Sequence, residues 1–397
     1  MLAPEPFFEP RGTPFSEYHR LKALSELGHD VDLVTYPIGR DVEIPRVRIF
    51  RGPRPPFVRR VPIGPSVRKL LLDGLMLFTI ARRGLSERYD AIHSHEEMGL
   101  PGVWLARWLG IPHLYDMHSS LPQQLSNFKY SKSGLLIRLF SWAEGQMVHG
   151  SQSVITICQE LQDTVVAMGA GERSLLIENV MGGDVDEPPS LAAAAVRPQW
   201  GIAADAPLAL YTGTFEAYQG VDLLIDASAR MARQVPAARV LVVGGDPGQV
   251  EAARHRADEA GAGHVMVFTG QQPAREIPSY VAACDVLVSP RIRGTNTPLK
   301  IYSYLRSGKA IIATNLLTHT QVLSDETARL VPPVPEAFAE AMVSLLGDAS
   351  ARDVLAQQAR QVAHEKYSRA VYLQRTAAAY ARLGVPAGAA GATGASA

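Results

Sequence analysis

Between positions 291 and 314 the chain reads Arg-Ile-Arg-Gly-Thr-Asn-Thr-Pro-Leu-Lys-Ile-Tyr-Ser-Tyr-Leu-Arg-Ser-Gly-Lys-Ala-Ile-Ile-Ala-Thr: a polar loop, a short helical stretch and an apolar run in succession. Thr297 suits the N-cap and Pro298 the first helical position, which puts Lys300 third; Gly308 suits the stop, and Lys309 to Thr314 suit a central parallel strand. Free backbone N–H groups at such strand-loop-helix junctions are where α/β sheets hold phosphates. In the first turn Lys300 opposes the helix dipole by about 0.3–1 kcal/mol, a conflict that a bound diphosphate would reverse. The alternative is a lysine that bends into solvent. Arg291 and Arg293 are auxiliary cations of the same loop, and Lys309, at the head of the strand, is structural.

Histidines form the second group. His118 follows the strand expected at Pro112 to Asp116, so it sits at the carboxyl edge where α/β sheets bind ligands, either touching a ligand or serving as a polar cap. His93 and His95, two apart, share a strand face beside Glu96 and Glu97, a layout open to metal ligation or to simple lining of a site. Gly12 and Thr13 precede the first helix and offer backbone N–H groups to a phosphate or sugar, whereas Gly244-Gly-Asp-Pro247 fits a plain turn as well as a ligand loop. Cys158 and Cys284 lie in apolar contexts and read as buried free thiols.

Strands and helices must alternate to position these residues, and they do. The spacing predicts a helix over Phe15 to Leu27 with Gly28 as its stop, strands at Val31 to Thr35, Tyr89 to Ser94, Pro112 to Asp116 and Ser153 to Ile157, and a helix at Leu135 to Val148. The period fails from about Met181 to Trp200, then strand and helix signals resume at Leu208 and run to about Leu383. The expected division is 1–183, a linker 184–200, 201–366, a last helix 367–384 and a disordered low-complexity tail 385–397. The first strand has only Met1 to Ala3 ahead of Pro4, against the usual ~5–6 residues, which suggests a true start upstream.

Composition narrows the class. At 397 residues the chain exceeds one ordinary core, and 39 basic against 39 acidic residues give no global attraction to nucleic acid. No apolar run reaches the ~20 residues of a membrane-spanning helix, and no signal peptide opens the chain, so a cytoplasmic protein is expected. The stretch Arg51 to Arg83 mixes eight basic residues and the single acid Asp73 with the apolar run Leu70 to Ala81. It reads either as a surface for an anionic membrane or as a solvated loop and a helix packed on the sheet.

Arg11-Gly-Thr-Pro14, Leu24-Ser-Glu-Leu-Gly-His-Asp-Val31, Tyr115-Asp-Met-His118, Tyr211-Thr-Gly-Thr214, Val242-Val-Gly-Gly245 and the 291–314 block together resemble the family-4 glycosyltransferases, over nearly the whole chain. The resemblance implies the GT-B architecture: two Rossmann-like doubly wound α/β domains facing across a cleft, acceptor domain first and donor domain second, with the last helix crossing back. It implies transfer of a sugar, with retention, from a nucleotide-sugar donor to a hydroxyl acceptor, a glycan or lipid-linked intermediate, without metal or other cofactor. His118 would then contact the transferred sugar, and Arg293, Thr295, Asn296, Thr297 and Lys300 would line the donor site with Gly12 and Thr13. The sequence departs from the family at four charged positions, where Thr214, Gln219, Thr295 and Ser303 stand in place of Arg, Lys, Glu and Glu. Neutral groups bind phosphate and ribose at about half the strength of charged ones. A donor-site-degenerate pseudoenzyme and a sugar-nucleotide epimerase of the same architecture are the other readings.

Overall fold

The computed structural model describes residues 1–8, 12–56, 58, 61, 67–122, 134–180 and 188–384. It divides into two compact units, Met1–Asn179 with the stretch from Arg369, and Val180–Ser368. The first holds β1 (Leu2–Ala3), β2 (Val31–Thr35), β3 (Val47–Arg51), β4 (Ile92–His95), β5 (His113–Met117), β6 (Ser153–Thr156) and β7 (Ser174–Leu176). All pairs are parallel, in the order β3-β2-β1-β4-β5-β6-β7. Its helices are α1 (Gly12–Glu26), α2 (Val67–Ser86), α3 (Gly99–Leu109), α4 (Gly134–Gly150) and α5 (Gln159–Ala167).

The second unit repeats the plan. A parallel sheet runs β10 (Met266–Gly270), β9 (Arg239–Val243), β8 (Leu208–Thr212), β11 (Val286–Ser289), β12 (Ala310–Thr314), β13 (Arg329–Val331). α6 (Ala193–Gln199) precedes β8; α7 (Val221–Gln234), α8 (Pro247–Glu259), α9 (Ile277–Ala283), α10 (Lys300–Ser307) and α11 (Leu317–Thr320) lie between strands; α12 (Pro335–Gly347) and α13 (Ala349–Lys366) follow β13. The helix α14 (Arg369–Ala381) belongs to the first unit. β8, β11 and β12 are buried at every residue, which is why they read as unbroken apolar runs rather than as alternating patterns.

Each chain path reverses direction across its sheet once, between β1 and β4 and between β8 and β11. Such switch points open a crevice at the carboxyl ends of the strands, where open α/β sheets bind ligands. β1 is central despite its two residues, since Leu2 pairs with both Val34 and Ser94.

Some elements differ from the sequence reading. β3 mixes two arginines with three apolar residues at an edge, and β7 has three residues; neither carries a run long enough to stand out. The expected 184–200 linker contains α6, because alanine favours helix and Arg197 fastens it to the second unit through the Ala283 carbonyl at 3.1 Å and Asp285 at 3.1 Å. The expected tail 385–397 lies outside the described residues.

Candidate functional site

In the first unit four titratable groups meet at the carboxyl edge of β4 and β5. The pleat of β4 turns His93 and His95 to one face, where their rings stack at 4.6 Å. β5 delivers Asp116 opposite His95, and His118 follows at the strand end; all four are buried. The Asp116 carboxylate lies 3.2 Å from Arg20 Nε, 3.4 Å from His93 Nε2 and 3.2 Å from His118 Nε2. Arg20, on α1, also donates to Thr376 Oγ1 at 3.0 Å and covers the Tyr372 ring at 5.0 Å. Tyr380 places its hydroxyl 2.6 Å from His93 Nδ1, so α14 braces the cluster with three side chains.

The charges sort themselves within this group. Burial disfavours an ionised Asp116, but Arg20 and His118 outweigh it and hold the carboxyl well below the usual range. Burial likewise lowers the His118 pKa, yet Asp116, by charge and hydrogen bond, and Glu96 raise it above that of an ordinary histidine. His93 has no such surplus, and burial takes it down to about 4; His95 falls well below the normal value through burial and the neighbouring His93. Of the three imidazoles, His118 is the one whose surroundings favour the protonated form.

His93, His95 and Asp116 come close enough for a shared ion, with ligand atoms within 4.8 Å of one another. Their geometry does not favour one: the imidazole planes lie 16° from parallel rather than converging, and the Asp116 charge is already matched by Arg20. Gly12 and Thr13 are the first two residues of α1 rather than preceding it, so their N–H groups belong to the unpaired first turn. Arg20 escaped the sequence reading, although its signal was there: it shares the core-facing side of α1 with Leu24, four residues on, where a charge is out of place.

The second unit gathers its loops at the carboxyl edge of β8, β9 and β11. Gly213 (φ 147°), Gly220 (φ 75°) and Gly244 (φ 129°) permit backbone approaches that no side chain allows: a Cβ on Gly244 would lie 1.8 Å from the Gly213 carbonyl, and one on Gly220 1.9 Å from that of Pro290. Asp246 caps α8 through a capping box with Gln249, which makes Gly244–Pro247 a helix entry.

Lys300 corrects the capping expectation. α10 starts at Lys300 itself, with Leu299 before it, so Thr297 does not cap and Pro298 is not the first helical residue. Pro298 and Leu299 instead form a turn whose carbonyls accept from Ile301 N at 3.0 Å and Tyr302 N at 3.2 Å. The Lys300 ammonium folds inward, donating to the Thr212 carbonyl at 3.0 Å from a position 4.0 Å over the Tyr211 ring. Burial, with Arg291 nearby, pushes its pKa well below the lysine range.

Arg291 is committed elsewhere: its guanidinium donates to the Asn296 carbonyl and the Thr318 hydroxyl, both at 2.8 Å, and lies over Tyr218 at 4.9 Å. It organises the loop rather than offering a free cation. Arg293 and Thr214 are exposed. Thr295 lends its carbonyl to Gln321 at 2.6 Å, and Ser303 turns its hydroxyl back to the Lys300 carbonyl at 2.9 Å. Three buried polar atoms at this edge have no protein partner: Gln219 Oε1, Arg291 Nε and Thr297 Oγ1. Buried polar groups are nearly always paired, so these mark places where a ligand or water completes the set. His319, buried between Ser289 Oγ (2.9 Å) and the Thr314 carbonyl (2.8 Å), was not anticipated and locks β11 to β12.

Two sequence families cover most of the chain: residues 18–179 match the Glycosyl transferase 4-like domain, and residues 193–362 match Glycosyl transferases group 1. The chain is 26% identical over 366 residues to a D-inositol 3-phosphate glycosyltransferase of Xylanimonas cellulosilytica, covering 85% of this chain and 84% of the relative. It is 23% identical over 377 residues to the phosphatidyl-myo-inositol mannosyltransferase of Mycolicibacterium smegmatis, covering 92% and 88%. Among solved structures, sucrose-phosphate synthase from Thermosynechococcus elongatus superposes with a TM-score of 0.72 at 20% identity, over 96% of this chain and 98% of that one. With both domain families in order and a parallel switch-point sheet in each unit, the chain belongs to the family-4 glycosyltransferases of GT-B architecture.

Proposed function

We propose that this glycosyltransferase moves a hexose from a nucleotide-sugar donor, with retention of anomeric configuration, to a hydroxyl of a lipid-linked or polysaccharide acceptor. The observation that supports the donor assignment most is the set of unpaired buried atoms around Lys300 at the β8 and β11 edge. A diphosphate there would take the Lys300 ammonium, with charge stabilisation strongest as the leaving phosphate develops. Thr297 Oγ1 would donate a neutral hydrogen bond to an oxygen of the nucleotide sugar and Gln219 Oε1 would accept one from a hydroxyl of it, with Thr214, Thr295, Asn296, Ser303 and exposed Arg293 at the periphery. In the first unit the protonated His118 would donate a hydrogen bond to the transferred sugar, held in orientation by Asp116. The reaction would need no metal, and turnover would persist in excess chelator.

The lipid-linked acceptor places the work at an anionic membrane on its cytoplasmic face, a reading favoured by the relative that acts on phosphatidyl-myo-inositol. A thermal-shift screen of nucleotide sugars tests the donor, since a ligand at ~100 times its dissociation constant stabilises by about 2.7 kcal/mol. Anomeric analysis of the product then tests retention. The four neutral replacements favour one other reading, a donor-site-degenerate pseudoenzyme. No shift with any nucleotide sugar and no turnover would establish that reading instead.

A further inference from the structure

Helices α2, α3 and α4 cover one face of the first sheet, and their outward surfaces are the wrong polarity for water. α2 is apolar on two sides: Leu72, Met76 and Ile80 are buried against the sheet, while Leu70, Leu71, Leu77, Phe78 and Leu85 face out. Leu70, Leu77, Ala81 and Leu85 fall at spacings of seven, four and four, so they line a single stripe. The outward side of α3 is Trp104, Arg107 and Trp108, and α4 exposes Leu135, Ile137, Leu139 and Trp142. Eleven of the 17 exposed large apolar side chains among the described residues sit on these three helices, so the patch is not ordinary scatter.

The charges on the same surface have one sign. Arg68, Arg82, Arg107 and Arg138 are exposed. The two acids of these helices turn away: Asp73 accepts from the Tyr36 hydroxyl, and buried Glu144 accepts from Leu121 N at 2.7 Å. Other basic residues of the 51–83 segment are already matched, Arg51 by Asp41, Lys69 by Glu97 and Arg83 by Asp32, which removes them from the surface charge that the sequence suggested. Arg59 and Arg60 lie outside the described residues. Leu, Phe and Trp interspersed with unmatched Arg is the composition of a surface that lies in the headgroup layer of an anionic bilayer. A second copy of the chain fits poorly, since it would oppose like charges across the contact. No helix among the described residues is long and apolar enough to cross a membrane.

We infer that the joint outer face of α2, α3 and α4 inserts shallowly into the surface of anionic lipid bilayers. The inference rests on the membrane reading above, but assigns the contact to side chains rather than to basic charge alone. Tryptophan fluorescence reads it directly: of the chain's four tryptophans three are on this face, and Trp200 is in the second unit, bonded to Tyr280. The full chain is mixed with vesicles of phosphatidylcholine, with or without an equal part of phosphatidylglycerol, and with brominated lipid as quencher. A blue shift and quenching on the anionic vesicles are expected. Phe78→Ser with Leu139→Ser, both exposed, should weaken partitioning on the order of tenfold or more. Co-sedimentation without blue shift or quenching overturns the face and leaves an electrostatic attachment. Absence of co-sedimentation overturns the membrane reading as well, while turnover of nucleotide sugar in solution tests the chemistry separately. A blue shift that grows with protein concentration in the absence of lipid overturns the inference in favour of self-association.

Discussion

Lys300 and His118 are single residues whose environment, more than their type, decides what they do. The Lys300 ammonium has one carbonyl and one ring for company, so it is under-coordinated and drawn toward an anion. Lys300→Ala should lower nucleotide-sugar turnover by about 1.5–3 kcal/mol, roughly 10- to 150-fold. Lys300→Met, which keeps the stem, should fall equally, while unfolding of the unliganded protein is unchanged or shifts up because a buried charge has gone. Wild-type turnover in both variants would remove Lys300 from the donor site. For His118 the readout is pH. Its pKa is raised in the folded protein, so turnover should decline as pH climbs through that value and the imidazolium is lost. In His118→Gln the alkaline limb assigned to this group should vanish; a limb that stays in place belongs to another residue.

At the scale of an element, the loop after β8 depends on Gly220. Its positive φ and the Pro290 carbonyl 1.9 Å from a Cβ impose both backbone strain and a backbone clash. Gly220→Ala should therefore destabilise the protein by at least about 1–3 kcal/mol and weaken the donor-induced thermal shift. Gly261→Ala is the control: φ is again positive, at 77°, but nothing lies within 4 Å of a Cβ, so only the left-handed conformation costs, about 1–2 kcal/mol, with donor binding intact. Equal losses in both would mean that the contact with Pro290 is relieved without consequence. α14 carries its own role in the first unit, since Thr376, Tyr372 and Tyr380 reach Arg20 and His93 across 356, 352 and 287 positions of sequence.

Over the whole molecule, several imidazoles are buried neutral, and this sets the acid limit of stability. Burial lowers His93 to about 4, and His113 and His319 to about 3. A histidine whose folded pKa is depressed binds its proton in the unfolded chain first, so stability is present above the unfolded value of about 6.5 and drains away as pH falls toward the folded value. Each such group removes roughly 1.4 kcal/mol by pH 5.5, about 4 kcal/mol for the three. His118, raised rather than lowered, works in the other sense: its contribution is complete below about 6.5 and is lost only as pH rises. Urea unfolding at pH 7.5 and 5.5 should show a lower midpoint at the acid value; an unchanged midpoint would mean that these rings are hydrated or charged in the folded state.

What the sequence determined by itself is local in origin. Val31–Thr35 was legible to the residue and Leu208 marked the start of β8, because a buried parallel strand needs a mainly apolar, β-branched run, and Gly308 marked the end of α10 because glycine alone takes its positive φ at little cost. The order of such signals gave two doubly wound units, and strand-end position gave His118. Tertiary structure alone decided who meets whom. Arg20 and Asp116 are 96 positions apart, and no period in the chain announces their pairing. Lys300 was visible as a cation, but its start of α10 and its inward turn depend on the Pro298–Leu299 turn and on Tyr211, 89 positions away. The apolar run of α2 reads in the sequence as either a membrane surface or a packed helix face; whether an apolar side chain is buried or faces outward depends on what packs over its helix, and that is fixed only when distant segments come together.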